Sequence, residues 1–157
     1  MDETQSVLEQ LYALLVPWDG TIERRYCNLA NATALLASYL PSLNWLGFYL
    51  VPEGGKELVL GPFQGKVACT DIPFSRGVCG LAARENRTVN VEDVHAIADH
   101  IACDGESNSE IVVPLCDSTG AVVGVLDVDS PLFGRFSGED QAFLEAAASL
   151  LSKSLWT

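Results

Sequence analysis

The chain has 157 residues, carries 21 acidic against 9 basic side chains, and has a net charge of -12. A chain of that length buries enough apolar surface to fold as one domain without disulfides or metals as staples, and its acidity repels phosphate backbones, so no nucleic acid partner is expected. The acidic start Met1-Asp2-Glu3-Thr4-Gln5 lacks the basic and apolar stretches of a secretory leader, and the longest apolar run, Leu11 to Trp18, is too short to span a bilayer; no membrane partner is expected, and a reducing cytoplasmic setting is.

Apolar positions at helical spacing predict two opening helices over residues 4–16 and 24–40, the second closed by Pro41. Trp45 to Val51 is aromatic and β-prone, Pro52-Glu53-Gly54-Gly55-Lys56 is a hairpin turn, and Glu57 to Leu60 returns as a strand. Cys69 to Phe74 is a strand end, Gly77 to Glu85 a short helix, and Thr88 to Val91 a short strand. Residues 92–108 form a long polar loop holding both histidines, His95 and His100, together with Cys103. Loops of that length in a compact domain are usually functional. Glu110 to Cys116 and Ala121 to Asp129 are strands joined by the turn Asp117-Ser118-Thr119-Gly120, and Ser137 caps a last helix that runs through Leu155. The order predicts an α+β domain, one antiparallel sheet with helices packed on its faces.

Five cysteines are present, and Cys69, Cys79 and Cys103 stand in short polar or Gly-marked contexts with no Cys-x-x-Cys pair. In a reducing compartment such thiols are either buried and inert or catalytic and redox-active. Cys103, in the long loop, is the candidate nucleophile, and Cys69 and Cys79 are candidate resolving thiols, although Cys79 at the start of a helix is equally suited to packing. Cys27 and Cys116 read as core residues. Cys69, Cys79, His95, His100 and Cys103 are ligand types that zinc accepts, but none is paired at the close spacing that structural zinc takes, so no metal is expected.

Side chains alternate along a strand, so Val123, Val125, Asp127 and Asp129 fall on one face while Val122, Leu126 and Val128 fall on the other. Glu110, on the partner strand, can bring a third carboxyl to Asp127 and Asp129. Like charges in a partly apolar pocket raise one another's pKa, which lets a carboxyl serve as an acid near neutral pH. The bland alternative is a frayed strand end before Ser130-Pro131. Trp45 and Tyr49 share a face with Gly47 between them leaving room, an arrangement suited to a small methyl-bearing or cationic ligand, or to ordinary sheet packing.

Taken together, Trp45-Leu46-Gly47-Phe48-Tyr49, Gly61-Pro62-Phe63-Gln64-Gly65, Cys69, Arg76-Gly77-Val78-Cys79-Gly80, Val91-Glu92-Asp93-Val94-His95, His100-Ile101-Ala102-Cys103-Asp104, Ser107-Asn108-Ser109-Glu110-Ile111-Val112-Val113-Pro114 and Gly124-Val125-Leu126-Asp127-Val128-Asp129-Ser130 resemble the free methionine-(R)-sulfoxide reductases, which are stand-alone GAF domains. The resemblance runs from about residue 20 to the C-terminus and implies a single GAF-like catalytic domain over 1–157, with residues 1–20 the less specific N-terminal helix.

The resemblance implies reduction of free L-methionine (R)-S-oxide. The cysteine matching Cys103 attacks the sulfoxide sulfur, methionine leaves, and a sulfenic acid remains. Cys69, or in some descriptions Cys79, condenses with it to a disulfide that thioredoxin, and ultimately NADPH, reduces; no cofactor is bound. Carboxyls matching Glu110, Asp127 and Asp129 bind and protonate the sulfoxide oxygen, and Trp45 and Tyr49 hold the S-methyl end. A homodimer is an expectation from GAF domains generally. The rival is a non-catalytic GAF module that senses a small ligand or redox state, although the chain lacks the Asn-Lys-x-x-Phe-x-x-x-Asp-Glu signature of cyclic-nucleotide binders and has Cys103-Asp104 where bilin binders carry Cys-His.

Overall fold

The computed structural model describes residues 2–100 and 103–157. Ile101 and Ala102 of the His100–Asp104 motif lie outside the described residues. The elements are α1 (Glu3–Leu14), α2 (Ile22–Tyr39), β1 (Trp45–Leu50), β2 (Glu57–Gly65), β3 (Asp71–Pro73), α3 (Gly77–Glu85), β4 (Val89–Val91), a 3-10 turn (Val94–Ala96), β5 (Ser109–Cys116), β6 (Val122–Ser130) and α4 (Gly138–Leu155). The strands form one six-stranded sheet in the order β3-β2-β1-β6-β5-β4, with each neighbouring pair antiparallel. This is the expected α+β arrangement.

Capping residues set the helix ends. Asp2, Thr21 and Ser137 accept hydrogen bonds from Thr4, Arg24 and Asp140 backbone N–H groups, satisfying donors that a helix start leaves free. Asp140 also returns a bond to the Ser137 backbone, completing a capping box. Thr21 as a cap starts α2 two residues ahead of the predicted boundary. At the other end of the linker, Pro17 disfavours helical backbone at Val16, and α1 stops at Leu14 rather than at residue 16.

The sheet separates two apolar clusters. On one face α1, α2 and α4 cover Leu46 and Phe48 of β1, Ile111, Val113 and Leu115 of β5, and Leu126 and Val128 of β6. On the other, α3 and loops cover Trp45, Tyr49, Val112 and Val125. Among the described residues no helix is long and apolar enough to cross a membrane.

Two bulges change the sequence reading. Gly47 pairs with Phe63 and Tyr49 with Leu60, so Gly61 and Pro62 together stand opposite Phe48. That bulge lets β2 continue through a proline to Gly65, where the sequence predicts an end at Leu60. In β6, Leu115 pairs with Gly124 but Cys116 with Val122, leaving Val123 as the extra residue. The alternation inverts there: Val123 packs with the helix-covered core and Val122 with the opposite cluster, the reverse of the predicted faces, while Val125, Asp127 and Asp129 keep the predicted side.

Cys27 and Cys116 are not core residues. α2 buries Asn28, Leu29, Ala32, Thr33 and Leu36, and Cys27 lies just off that stripe, exposed, with its Sγ donating to the Arg24 carbonyl. Cys116 lies beyond the β6 bulge, half-buried, and donates to Asn86 Oδ1.

Candidate active site

The antiparallel register lines up side chains from three central strands. Glu110 of β5, Asp129 of β6 and Trp45 of β1 are direct cross-strand partners in one row; Val112, Asp127 and Gly47 form the next. Directly opposed residues share a face, so three carboxyls predicted from alternation converge with the aromatic pair on the side that α3 and loops cover. They line a cavity of about 40 Å³ together with Cys79, His100, Cys103 and Ser107.

Gly47 makes the aromatic wall possible. A Cβ there would stand 2.3 Å from Phe63 Cβ and 2.8 Å from Trp45 Cη2. In its absence the Trp45 ring lies across the strand, stacked on Tyr49 at 5.8 Å and on Phe63 at 5.2 Å between centroids. Both aromatics also use their polar ends: Trp45 Nε1 donates to the Lys66 carbonyl at 3.2 Å, and the Tyr49 hydroxyl donates to the Cys69 carbonyl at 2.9 Å. The wall therefore holds the segment that carries Cys69. Burial and the neighbouring Asp127 charge keep the Tyr49 phenol protonated far above neutral pH.

Cys69 and Cys103 are joined by a disulfide across 34 residues of sequence, with Cα atoms 5.6 Å apart. The Cys103 segment is tied down on both sides. Asn44 Nδ2, just ahead of β1, donates to Asp104 Oδ2 and to Ser107 Oγ, each at 2.9 Å. Lys66 Nζ bonds Glu106 at 2.6 Å, an exposed ion pair that links the two cysteine segments. The Glu106 backbone N–H and then Asn44 hold the Asp104 carboxyl below its ordinary range. Cys79 is a free, buried thiol in the first turn of α3, with its Sγ 3.9 Å from Glu110 Oε1.

The carboxyl cluster is electrostatically loaded. Burial, then the Asp129 charge, raises Glu110 from 4.5 to about 8. Asp127 is pushed well above its usual value by burial and by Glu110, and Asp129 by burial and by Asp127. Burial likewise raises the Cys79 thiol, with Asp127 next. In each case the shift is toward the neutral, proton-holding form, and Glu110, at about 8, keeps its proton at pH 7. Asp127 Oδ1 is buried with no hydrogen-bond partner among the described residues, an open polar position in the cavity wall. Cys79, Glu110 and Asp127 bring donor atoms within 4.8 Å of one another; with their protons retained they form an acid cluster.

Of the zinc-type donors that the sequence offers, Cys79, His100 and Cys103 line the cavity and His95 does not. Cys69 and Cys103 are bonded to each other. His95 is exposed and shares a 2.9 Å hydrogen bond with Asn108. His100 does reach the site, with Nε2 3.6 Å from Glu110 Oε2. Three contributors escape sequence reasoning: Phe63, hidden behind the bulge at Gly61-Pro62; Asn44, which only the folded loop brings to Asp104; and His100 as a neighbour of Glu110. Gly47 between two aromatics was the one signal pointing to close approach.

The GAF domain family matches residues 21–155. A free methionine-R-sulfoxide reductase of Escherichia coli strain K12 is 52% identical over 129 residues, covering 82% of this chain and 76% of the relative. The enzyme of the same name from Saccharomyces cerevisiae is 43% identical over 158 residues, covering 96% of this chain and 86% of its own. The X-ray structure of free methionine-R-sulfoxide reductase from Neisseria meningitidis in complex with its substrate superposes with a TM-score of 0.87 at 44% identity, covering 98% of this chain and 90% of that one. A GAF fold, identity of this extent and a disulfide-bonded cysteine pair beside a carboxyl-lined cavity agree: the chain belongs to the GAF-domain family of free methionine-R-sulfoxide reductases.

Proposed function

We propose that the protein reduces free L-methionine (R)-S-oxide to L-methionine, with residues 1–157 as the catalytic unit. The observation that carries the proposal is the Cys69–Cys103 disulfide, whose Cys103 lines the same cavity as Glu110, Asp127 and Asp129. Reduction of a sulfoxide needs two electrons and an acid for the departing oxygen, and these are the two things the cavity offers.

In this reading the Cys103 thiolate attacks the sulfoxide sulfur while Glu110 protonates the oxygen, giving a four-coordinate sulfur that carries the new S–S bond and a hydroxyl; the hydroxyl then passes to the Cys103 sulfur as the S–O and S–S bonds both break, methionine leaves, and Cys103 carries a sulfenic acid. The Cys69 sulfur then displaces hydroxide from Cys103, the Cys69 proton completes the water, and the disulfide forms. Asp127 and Asp129 bind the polar end of the substrate, the open Asp127 Oδ1 supporting that role. Trp45 and Tyr49 face the S-methyl group. Cys79 fits the first resolving step less well than Cys69, because it is fully buried and burial disfavours its thiolate. No bound cofactor takes part; thioredoxin, drawing on NADPH, returns the disulfide to two thiols.

With the disulfide closed, the cavity measures about 40 Å³ and Cys103 has no free thiol for a second attack. The oxidised form is therefore the end of a turnover, and reduction precedes the next attack. A thioredoxin-coupled assay on the separated epimers of free methionine sulfoxide tests the proposal. NADPH consumption with the R epimer alone, lost in Cys103→Ser, supports it; no turnover with either epimer leaves a ligand or redox sensor as the better reading.

A further inference from the structure

The reduction written above moves a proton as well as electrons. Cys103 begins as a thiol and ends as a sulfenic acid, so its S–H proton must leave before attack, while Glu110 loses a proton to the sulfoxide oxygen. One side of the cavity gains a proton as the other loses one. His100 stands between these events: it lies three residues before Cys103, lines the same cavity, and has Nε2 3.6 Å from Glu110 Oε2, with both side chains largely buried.

We propose that His100 is a further catalytic residue, a base that takes the Cys103 thiol proton and passes it to the Glu110 carboxylate left by protonation of the sulfoxide oxygen. The inference rests on the proposed sulfoxide reduction. Its balance is closed: thiol and sulfoxide give sulfenic acid and thioether, with sulfur of Cys103 oxidised by two electrons, sulfur of the substrate reduced by two, the Glu110 proton ending on the transferred oxygen and the thiol proton replacing it on Glu110. No further reactant enters.

The surroundings favour that role. Burial lowers the His100 pKa, with Asp99 opposing, so the imidazole is neutral at pH 7 and has a lone pair for the proton. The groups facing it from the packed elements are Glu110 of β5, Asp127 and Asp129 of β6 and Cys79 of α3, with Asp99, Cys103 and Asp104 on its own segment. Burial raises Glu110, Asp127, Asp129 and Cys79 toward their neutral forms, and Glu110, at about 8, holds its proton at neutral pH, so the carboxyl 3.6 Å from His100 does not lock it in its charged form. A transient imidazolium is nevertheless stabilised as soon as Glu110 ionises beside it, and the proton crosses.

Single-turnover methionine formation by the reduced protein, without any reductant, isolates the step. His100→Gln keeps a planar polar side chain but cannot take up and pass on a proton near neutral pH, and is expected to slow methionine formation there by about 10²-fold. KM should be nearly unchanged, and the variant's rate should climb with pH as Cys103 ionises directly to solvent. His100→Ala should regain rate on addition of imidazole. A His100→Gln rate equal to that of the wild type, or a loss that neither pH nor imidazole recovers, overturns the relay. A wild-type protein that forms no methionine in the same assay overturns the function itself, and the relay with it.

Discussion

The two faces of the sheet are built from the same strands and obey opposite rules. In β6, Leu126 and Val128 are fully buried under α1, α2 and α4, while their neighbours Asp127 and Asp129 point into the cavity under α3 and loops. β1 divides likewise into Leu46 and Phe48 on one side and Trp45 and Tyr49 on the other. Three helices close the first face with interlocking apolar side chains, the arrangement that supplies stability. The second face accepts the buried carboxyls Glu110 and Asp127 and the half-buried Asp129, which cost stability because the charged forms are desolvated. Both faces are thus built on the same strands, and the proposed chemistry belongs to the one that a short helix and two cysteine-bearing segments cover.

Substitutions on opposite faces should separate rate from stability. Cys103→Ser removes the attacking thiol and should reduce methionine formation to background in rapid-quench assays, with an unaltered melting curve for the reduced protein. Glu110→Gln should lower the same rate by about 10²–10³-fold at pH 7, yet stabilise the fold at alkaline pH. The sign follows from linkage. Glu110 has a folded value of about 8 against 4.5 when unfolded, so between these pH values the folded state binds the extra proton and stability falls as pH rises. Wild-type stability should therefore decline across that window by an amount on the order of several kcal/mol at most, and Glu110→Gln should flatten the decline in urea titrations at successive pH values.

On the helix-covered face, Leu126→Ala should cost about 2–5 kcal/mol in denaturant unfolding while kcat of the folded fraction stays at the wild-type value. A large kcat loss there would break the division between the faces. Gly47→Ala lies on the site face and forces Phe63 or Trp45 to move; KM should rise about tenfold, from a lost contact of about 1–2 kcal/mol, with kcat less affected. Asn44→Ala should have the smallest effect, about 1 kcal/mol from two hydrogen bonds to the Cys103 segment, read as a modest drop in disulfide closure rate.

Most of the fold was legible because its signals are local. The helix predicted within Gly77 to Glu85, beginning around Cys79, is present and starts at Gly77, and Ser137 forms the predicted cap. The convergence of Asp127, Asp129 and Glu110 followed from strand period alone. Three features were hidden because they depend on pairing: the bulge that carries β2 past Pro62, the bulge at Val123 that inverts two side chains, and the reach of Asn44 to Asp104. The 3-10 turn at Val94–Ala96 is too short for any periodicity to mark it; only its Asp93 cap is a sequence signal. Cys27 was misplaced because a helical stripe is read to within a residue, and one residue is the difference between core and solvent.

The central claim is that Cys103 oxidised by the sulfoxide is resolved by Cys69 above an acid cluster. Reduced protein, freed of reductant, would be mixed with each epimer of free methionine sulfoxide, and methionine yield measured alongside peptide mapping of the product. The account predicts stoichiometric methionine from the R epimer alone and a linked Cys69–Cys103 peptide pair. Methionine without that link, a first-formed link to Cys79, or no methionine at all would contradict it.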